Sequence, residues 1–166
     1  MGSGRAGAGG VKPFALAALL AALAGSALAD CRDDQVEFRG PGGAARFTVD
    51  VARTEAEREL GLMNRSAMPA SAGMLFVFDG PTHAQFWMKD TLIPLDMIFV
   101  DPAGQVTRVK ANARPEDLSI IDGGRGVEFV VEINAGLAGK LGIAPGAAMR
   151  SPEVPQAGAI WPCGAP

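Results

Sequence analysis

The sequence has few of the residues from which metal and nucleophile sites are usually built. It contains one histidine, His83, and two cysteines, Cys31 and Cys163, neither of which has a CxxC neighbour. Zinc and copper sites usually need clustered histidine and cysteine ligands. No serine stands in a GxSxG turn, and His83 follows Pro81 and Thr82 in an expected loop. We therefore expect no metal, no cofactor and no serine-type catalytic triad.

Positive charge is also scarce. Lys and Arg together number 15 against 18 Asp and Glu, which gives a formal net charge of −3 at pH 7. There is no run of basic residues. Proteins that bind nucleic acid or anionic membrane surfaces need a patch of positively charged residues. We therefore expect neither kind of partner.

The one long apolar run lies close to the N-terminus. Residues 14–24 (FALAALLAALA) follow Arg5 and Lys12 and precede Ala27-Leu28-Ala29, a small-x-small cleavage site. This order is typical of a secretory signal peptide, and the run is shorter than the ~20 residues that a membrane-spanning helix needs. We expect residues 1–29 to be removed and the mature chain to be periplasmic or secreted, without stable membrane insertion.

The two cysteines lie near opposite ends of the expected mature chain. Disulfides persist in exported proteins. A Cys31–Cys163 bridge would close nearly the whole chain and stabilise it by roughly 4–5 kcal/mol in the chain-entropy model. Acylation of Cys31 as a lipoprotein is disfavoured, because Asp30 stands where such signals have a small neutral residue. Unpaired thiols are the third alternative.

Short runs with β-type patterns recur through the mature chain, separated by turn residues. These runs lie at residues 36–38, 46–51, 74–78, 85–89, 95–100, 105–110, 127–133 and 147–150. They predict a mainly β domain over residues 30–150, a sandwich or barrel, followed by a proline-rich tail at 151–166.

Two short helices are expected to interrupt the strands. Thr54 and Glu57 form a capping box that predicts a helix from residue 55 to residue 60, ending at Gly61. Asn134 is a good N-cap residue and predicts a second helix that reaches about Leu141.

The most unusual stretch is residues 86–96 (FWMKDTLIPLD), which places polar side chains inside an otherwise apolar block. Strand periodicity puts Trp87 and Lys89 on one face. If Leu92 and Ile93 were the centre of a hairpin, Lys89 would pair with Asp96. Leu-Ile disfavours the positive φ of that turn, so the alternative is a connection that crosses to another sheet.

Two interpretations of this stretch remain open. In the first, Trp87, Lys89, Thr91 and Asp96 line a cleft, and Arg65 binds a carboxylate or phosphate through its planar guanidinium group. In the second, Lys89 and Asp96 form a structural ion pair. Glu132, on the last long strand, is a further candidate for the site. An acid–base pair would require it to meet Asp96.

Several motifs together resemble one family, the domain of unknown function 192. They occur in the order TEAERELGLMNR (residues 54–65), GMLFVF (73–78), FWMKDTLIPLD (86–96) and Glu132-x-x-x-Gly136. The resemblance covers roughly residues 45–150. It implies a compact jelly-roll-like β structure, and it brings no established substrate, cofactor or catalytic residue. The family often has Asn where this chain has Asp90, which adds a negative charge beside Lys89.

The sequence therefore supports three hypotheses. The leading one is an exported domain that binds a small polar or anionic ligand, or a peptide, in a cleft. The second is a cell-envelope enzyme, a hydrolase or isomerase, with Asp96 or Glu132 as base. The third is a structural or partner-binding module, which a contiguous exposed apolar patch would favour. The candidate ligand-binding residues are Arg65, Trp87, Lys89, Thr91, Asp96 and Glu132.

Overall fold

A computed structural model describes residues 1–4 and 31–165 of the chain. The expected signal peptide, with Arg5, Lys12 and the cleavage site after Ala29, therefore lies almost entirely outside the described residues. Among those residues, no helix has the length and apolar character needed to cross a membrane.

The described residues form one seven-stranded sheet and two short helices. The strands are β1 (Gln35–Gly40), β2 (Gly43–Ala52), β3 (Ala72–Phe86), β4 (Leu95–Val100), β5 (Val106–Ala113), β6 (Ile121–Asn134) and β7 (Ala148–Arg150). The helices are α1 (Glu55–Leu60) and α2 (Leu137–Lys140). The strand order is β5-β4-β6-β3-β2-β1-β7, with β2 and β3 parallel and the other neighbours antiparallel.

The sheet curls so far that its two edge strands, β5 and β7, come into contact at one point. Gln105, just before β5, forms an antiparallel bridge with Ala148 of β7. The amide of Val106 donates to the carbonyl oxygen of Ala147 at 2.8 Å, and the amide of Met149 donates to that of Gly104 at 2.7 Å. The result is a half-barrel made from a single sheet. The prediction of a mainly β fold with two short helices is confirmed.

Both faces of the sheet carry a hydrophobic core. The inner core draws apolar side chains from all seven strands, including Val36, Phe47, Leu75, Ile98, Val106, Phe129 and Met149. The outer core lies on the opposite face and includes Leu62, Met74, Phe76, Met88, Leu95, Met97, Phe99 and Val130. Side chains alternate along a strand, so the central strands are apolar on both faces.

Helix α1 begins and ends where the sequence predicts. The hydroxyl of Thr54 accepts from the amide of Glu57 at 3.3 Å, and the carboxylate of Glu57 accepts from the amide of Thr54 at 2.9 Å. Gly61 follows with φ of 48°. This left-handed conformation costs glycine little, so the chain can turn back sharply here.

The predicted start of the second helix is wrong. Asn134 is the last residue of β6, and α2 begins only after Gly136. The Asn134 side-chain amide instead donates to the carbonyl oxygens of Met68 and Pro69, at 2.9 and 3.0 Å. Asparagine can cap a helix or hydrogen-bond to a loop. Here β6 continues through Asn134, so its side chain binds the loop at residues 68–69.

One segment expected as a loop and one glycine-rich segment belong to long, irregular strands. Residues 81–83, the expected loop, lie within β3, and residues 122–126 lie within β6. The β3–β6 register shifts between Val77 and Thr82 and again before Gln85. A Cβ atom at Gly123 would overlap the ring of Phe99. The glycine there therefore allows close packing inside a strand.

The C-terminal segment packs against the domain. Cys163 forms a disulfide with Cys31, with Cα atoms 5.4 Å apart, so the predicted bridge is confirmed. Trp161 is buried, with the guanidinium carbons of Arg39 and Arg150 at 4.5 and 4.1 Å from its ring centroid. Cation–π contacts of this kind add to the covalent attachment.

The disulfide should contribute strongly to stability, because it closes a loop with a sequence separation of 132 residues. Replacing Cys31 and Cys163 together by serine should lower the free energy of unfolding by roughly 2–5 kcal/mol. Urea denaturation followed by circular dichroism measures this. Dithiothreitol should destabilise the wild type similarly and leave the double variant unchanged. Equal stability of wild type and variant would contradict the prediction.

Candidate functional site

A cleft with a volume of about 360 Å³ lies on the outer face of the sheet. One wall is α1 with the turn after it, and the other is the end of β3 with the segment that follows. The lining residues are Glu55, Arg58, Glu59, Leu60, Gly61, Leu62, Met63, Phe76, Phe78, Gln85, Phe86, Trp87, Lys89, Thr91 and Glu132.

A backbone hydrogen bond ties the two walls together. The amide of Asn64 donates to the carbonyl oxygen of Asp90 at 2.8 Å. Both residues have left-handed backbones, with φ of 61° and 52°. Asn and Asp tolerate that conformation better than other non-glycine residues. The conformation thus explains how Asp90 can stand where the family pattern often has Asn.

Phe86 organises the aromatic wall. Its ring lies edge-to-face against Phe76, Phe78 and Phe99, with centroid separations of 5.2, 6.5 and 6.0 Å. Such arrangements are favourable beyond simple area burial. The wall is therefore a packed cluster, with Trp87 projecting beside it and half exposed.

The two cations of the cleft differ in how they are held. Arg58 lies 5.2 Å from the Phe78 ring centroid and donates to the carbonyl oxygens of Val77, at 2.9 Å, and Arg53. Lys89 lies with its Nζ 5.4 Å from the Trp87 ring centroid. No carboxylate of the described residues forms an ion pair with Lys89. Its charge is therefore available to a ligand.

Glu132 is the buried ionisable group of the cleft. It lies in β6 opposite Met74 of β3 and Met97 of β4, and its exposed fraction is 4%. No group in the described part of the chain hydrogen-bonds to its carboxyl. Burial disfavours the charged form and raises the pKa of Glu132 from 4.5 to about 8. At neutral pH the group is mainly a carboxylic acid.

Thr91 positions the segment that carries Lys89. Its side chain is buried, and its hydroxyl donates to the carbonyl oxygen of Lys89 at 3.1 Å. The Thr91 carbonyl oxygen accepts from the amide of Glu116, also at 3.1 Å. Thr91 thus lines the cleft and holds its shape.

The structure does not bring Asp96 to the cleft. Asp96 is fully buried on the inner face, where its carboxylate oxygens accept from the amides of Asn112 at 2.8 Å and Ala138 at 2.9 Å. The Lys89–Asp96 hairpin pair, one of the two alternatives for this stretch, does not form, because β6 lies between β3 and β4 in the sheet. The connection also does not cross to another sheet.

The pairing register of β4 and β6 explains why the carboxyls of Asp96 and Glu132 do not meet. Asp96 pairs with Ile133, and Met97 pairs with Glu132. Successive side chains point to opposite faces, so Asp96 and Glu132 lie on different sides of the sheet. The paired-carboxylate arrangement does not occur.

Arg65 also lies outside the cleft. It forms an exposed ion pair with Asp50, with Nη2 and Oδ2 2.6 Å apart. His83 is paired with Asp122 at 2.8 Å, likewise at the surface, and neither residue lines the cleft. Of the six candidates, Trp87, Lys89, Thr91 and Glu132 meet in one cleft, and Arg65 and Asp96 do not.

Sequence reasoning missed the wall formed by α1 and the role of Phe86. Strand alternation places Phe86 on the face opposite Trp87 and Lys89, but Phe86 also lines the cleft. The capping box located α1, but nothing in it indicated that Glu55, Arg58 and Glu59 would border the site. Among the described residues, no group of three or more His, Cys, Asp or Glu side chains could hold a metal ion.

Asp96 should be essential for stability, because it accepts hydrogen bonds from a buried amide at the start of α2 and from a partly buried amide in β5. Replacing it by alanine should lower the free energy of unfolding by about 3 kcal/mol, the cost of leaving these donors unpaired. Asp96→Asn retains an acceptor and should cost less. Urea denaturation compares the two, and wild-type stability in Asp96→Ala would contradict the assignment.

Glu132 should make stability depend on pH. The folded pKa of about 8 lies above the ordinary 4.5, so the folded state binds more protons and the wild type loses stability as pH rises between these values. Relative to Glu132→Gln, the loss should approach roughly 1.4 kcal/mol per pH unit and end above pH ~8. Denaturation of both proteins from pH 4 to 9.5 measures the difference. A constant difference would show an ordinary pKa.

Comparison with known proteins gives a family match. The family DUF192, described as "Uncharacterized ACR", matches residues 37–151. A protein of unknown function from Novosphingobium aromaticivorans DSM 12444 is 41% identical, with a TM-score of 0.68 over 69% of this chain and 82% of that chain. A second structure, from Sinorhizobium meliloti 1021 and described as "a putative transcription regulator", is 36% identical, with a TM-score of 0.68 over 72% of this chain and 94% of that chain.

Comparison with curated proteins gives no match. The family match spans more than half of the chain, and the relatives exceed 30% identity over more than two thirds of it. The resemblance noted in the sequence is confirmed, and the chain belongs to the DUF192 family.

Proposed function

We propose that this domain binds a small polar or anionic ligand, or a peptide terminus, in the cleft between α1 and the Trp87–Lys89 segment. The observation that carries the proposal is the carboxyl of Glu132, which is buried, lines that cleft and has no hydrogen-bond partner in the described part of the chain. An unpaired buried polar group costs free energy. A ligand that hydrogen-bonds to Glu132 would recover that cost.

The size and lining of the cleft support the proposal. Ligand sites are typically ~300–1,000 Å³, mostly apolar, with a few polar groups that fix the ligand. Here the apolar surface comes from Leu62, Phe76 and Phe86, and the polar groups are Lys89 and Glu132. In the proposed complex, Asp96 and Arg65 are structural residues, because both have partners elsewhere.

We place the function outside the cytoplasm, in the periplasm or as a secreted protein. The signal-peptide pattern of residues 1–29 supports export. The Cys31–Cys163 disulfide supports it too, because disulfides persist mainly in oxidising compartments.

A small ligand is favoured over nucleic acid, although one relative is described as a regulator of transcription. The formal net charge of the chain is −3, and it becomes about −5 if residues 1–29, with Arg5 and Lys12, are removed. A nucleic-acid site needs clustered positive charge to neutralise phosphates. The proposed cleft has one lysine without a carboxylate partner among the described residues.

A second candidate function is an enzyme, and the raised pKa of Glu132 favours it. General acids and bases work best when their pKa lies near the working pH, and that of Glu132 is about 8. In this alternative the protein is a hydrolase or isomerase of cell-envelope material, and Glu132 donates or accepts the proton.

The two tryptophans allow a direct binding test. Trp87 lies at the cleft, and Trp161 is buried beside Arg39 and Arg150. In ¹⁵N NMR spectra, a panel of small acids, sugars and short peptides should include compounds that shift the Trp87 indole signal and leave that of Trp161 in place. Lys89→Met should weaken binding of the anionic compounds, because their charge loses its partner.

Lys140→Met is the matched control, since Lys140 lies on α2 and does not line the cleft. It should bind as the wild type does. New product signals that vanish in Glu132→Gln would favour the enzyme over the binding domain. If no compound moves the Trp87 signal, or if the Lys89 and Lys140 variants behave alike, the proposed binding site is wrong.

A further inference from the structure

The cleft combines three features that narrow the class of ligand. Its floor holds the carboxyl of Glu132, 4% exposed and without a partner in the described residues. Its rim holds the ammonium of Lys89, 5.4 Å from the Trp87 ring centroid and without a carboxylate among the described residues. The rest of the lining includes apolar surface, from Phe76 and Phe86 among others.

We infer that the cleft takes a small carboxylate with an apolar or aromatic body, whose headgroup accepts a hydrogen bond from Glu132 in its acid form and is neutralised by Lys89. The inference rests on the proposed function, because it names the ligand class and the pH control of the same cleft.

A protonated Glu132 suits a carboxylate ligand. Two carboxyl groups in hydrogen-bond contact share one proton, because two adjacent negative charges cannot both persist in an apolar site. The buried Glu132 already holds that proton at neutral pH, since burial raises its pKa to about 8. A cationic ligand would require Glu132 to lose it.

The charged groups of α1 direct the headgroup toward Lys89. Glu55 and Glu59 border the cleft on the α1 wall and repel an anion there. Arg58 stands between them in sequence, but its guanidinium is held against Phe78 and the Val77 carbonyl. The anionic end of the ligand is therefore favoured on the side of the cleft that carries Lys89.

The strands packed against Glu132 add no second titrating group. The residues paired with it are Met74 on β3 and Met97 on β4. Ionisation of Glu132 therefore changes the charge of the cleft floor by itself. It removes the donated hydrogen bond and places a negative charge beside the ligand, so the ligand should be released as pH rises past the pKa of about 8.

Calorimetric titration of the protein with 3-phenylpropanoate, from pH 6 to pH 9.5, tests the inference. The amide 3-phenylpropanamide and the amine 3-phenylpropylamine are matched neutral and cationic probes. The carboxylate should bind most tightly and the amine most weakly. The Kd of the carboxylate should be constant near neutral pH and rise about tenfold per pH unit well above pH 8, as loss of one proton requires.

Variants separate the two polar groups. Glu132→Gln keeps a hydrogen-bond donor without a titrating proton, so it should bind 3-phenylpropanoate and lose the alkaline weakening. Lys89→Met should bind the carboxylate and the amide with similar Kd values, whereas Lys140→Met should behave as the wild type. Near pH 9, titration of the wild type in buffers of different ionisation enthalpy should show uptake of close to one proton per ligand bound. This last measurement needs no variant to fold.

The outcomes distinguish this inference from the proposed function. If the amine binds most tightly, with proton release and stronger binding as pH rises, the carboxylate class is overturned and the cleft remains a ligand site. A wild-type Kd that does not change between pH 7 and 9.5 overturns the role of Glu132 as donor. If neither these probes nor the wider panel shifts the Trp87 indole signal, the proposed function itself fails.

Discussion

Strand β6 is buried on both faces, and this double burial determines where the two cores and the cleft lie. This strand pairs with β3 on one side and β4 on the other, and both of its faces are covered. Phe129, Val131 and Ile133 point into the inner core, whereas Val130 packs into the outer core. The same alternation places Glu132 on the outer face, where a buried carboxyl has apolar neighbours. The cleft exists because α1 and the segment after β3 cover this face incompletely.

Ionisation of the buried Glu132 destabilises the folded protein, because no described residue forms an ion pair with its carboxylate. Asp96 shows the contrast. It is equally buried, but two backbone amides hydrogen-bond to it and use it as a structural acceptor. Asp96 is therefore a structural residue, whereas Glu132 is left as a polar group of the cleft. Glu132 has no hydrogen-bond partner and Lys89 no carboxylate partner among the described residues, and both line one cleft. A bound ligand would complete this arrangement.

Several parts of the fold could be predicted because neighbouring residues determine them. The capping box predicted α1, and the apolar run at residues 95–100 predicted β4. The disulfide could be predicted from the two cysteines near the ends of the mature chain. Long-range pairing was harder. Nothing near Lys89 shows that β6 inserts between β3 and β4, so local patterns could not decide whether Lys89 pairs with Asp96. The close packing of Gly123 against Phe99 could not be predicted either, because Phe99 is distant in sequence. Trp87, Lys89, Thr91 and Glu132 were identified by residue type, but their meeting in one cleft depends on strand order.

The protonation state of Glu132 can be measured directly. A ¹³C NMR titration of the glutamate side-chain carboxyl carbons, with Glu132 assigned by its absence in Glu132→Gln, follows each group separately. Glu132 should titrate with a pKa of about 8, far above the ordinary value of 4.5. A Glu132 signal that titrates near 4.5 would instead show that the carboxyl is solvated or paired, and that it is not a neutral acid in the cleft at neutral pH.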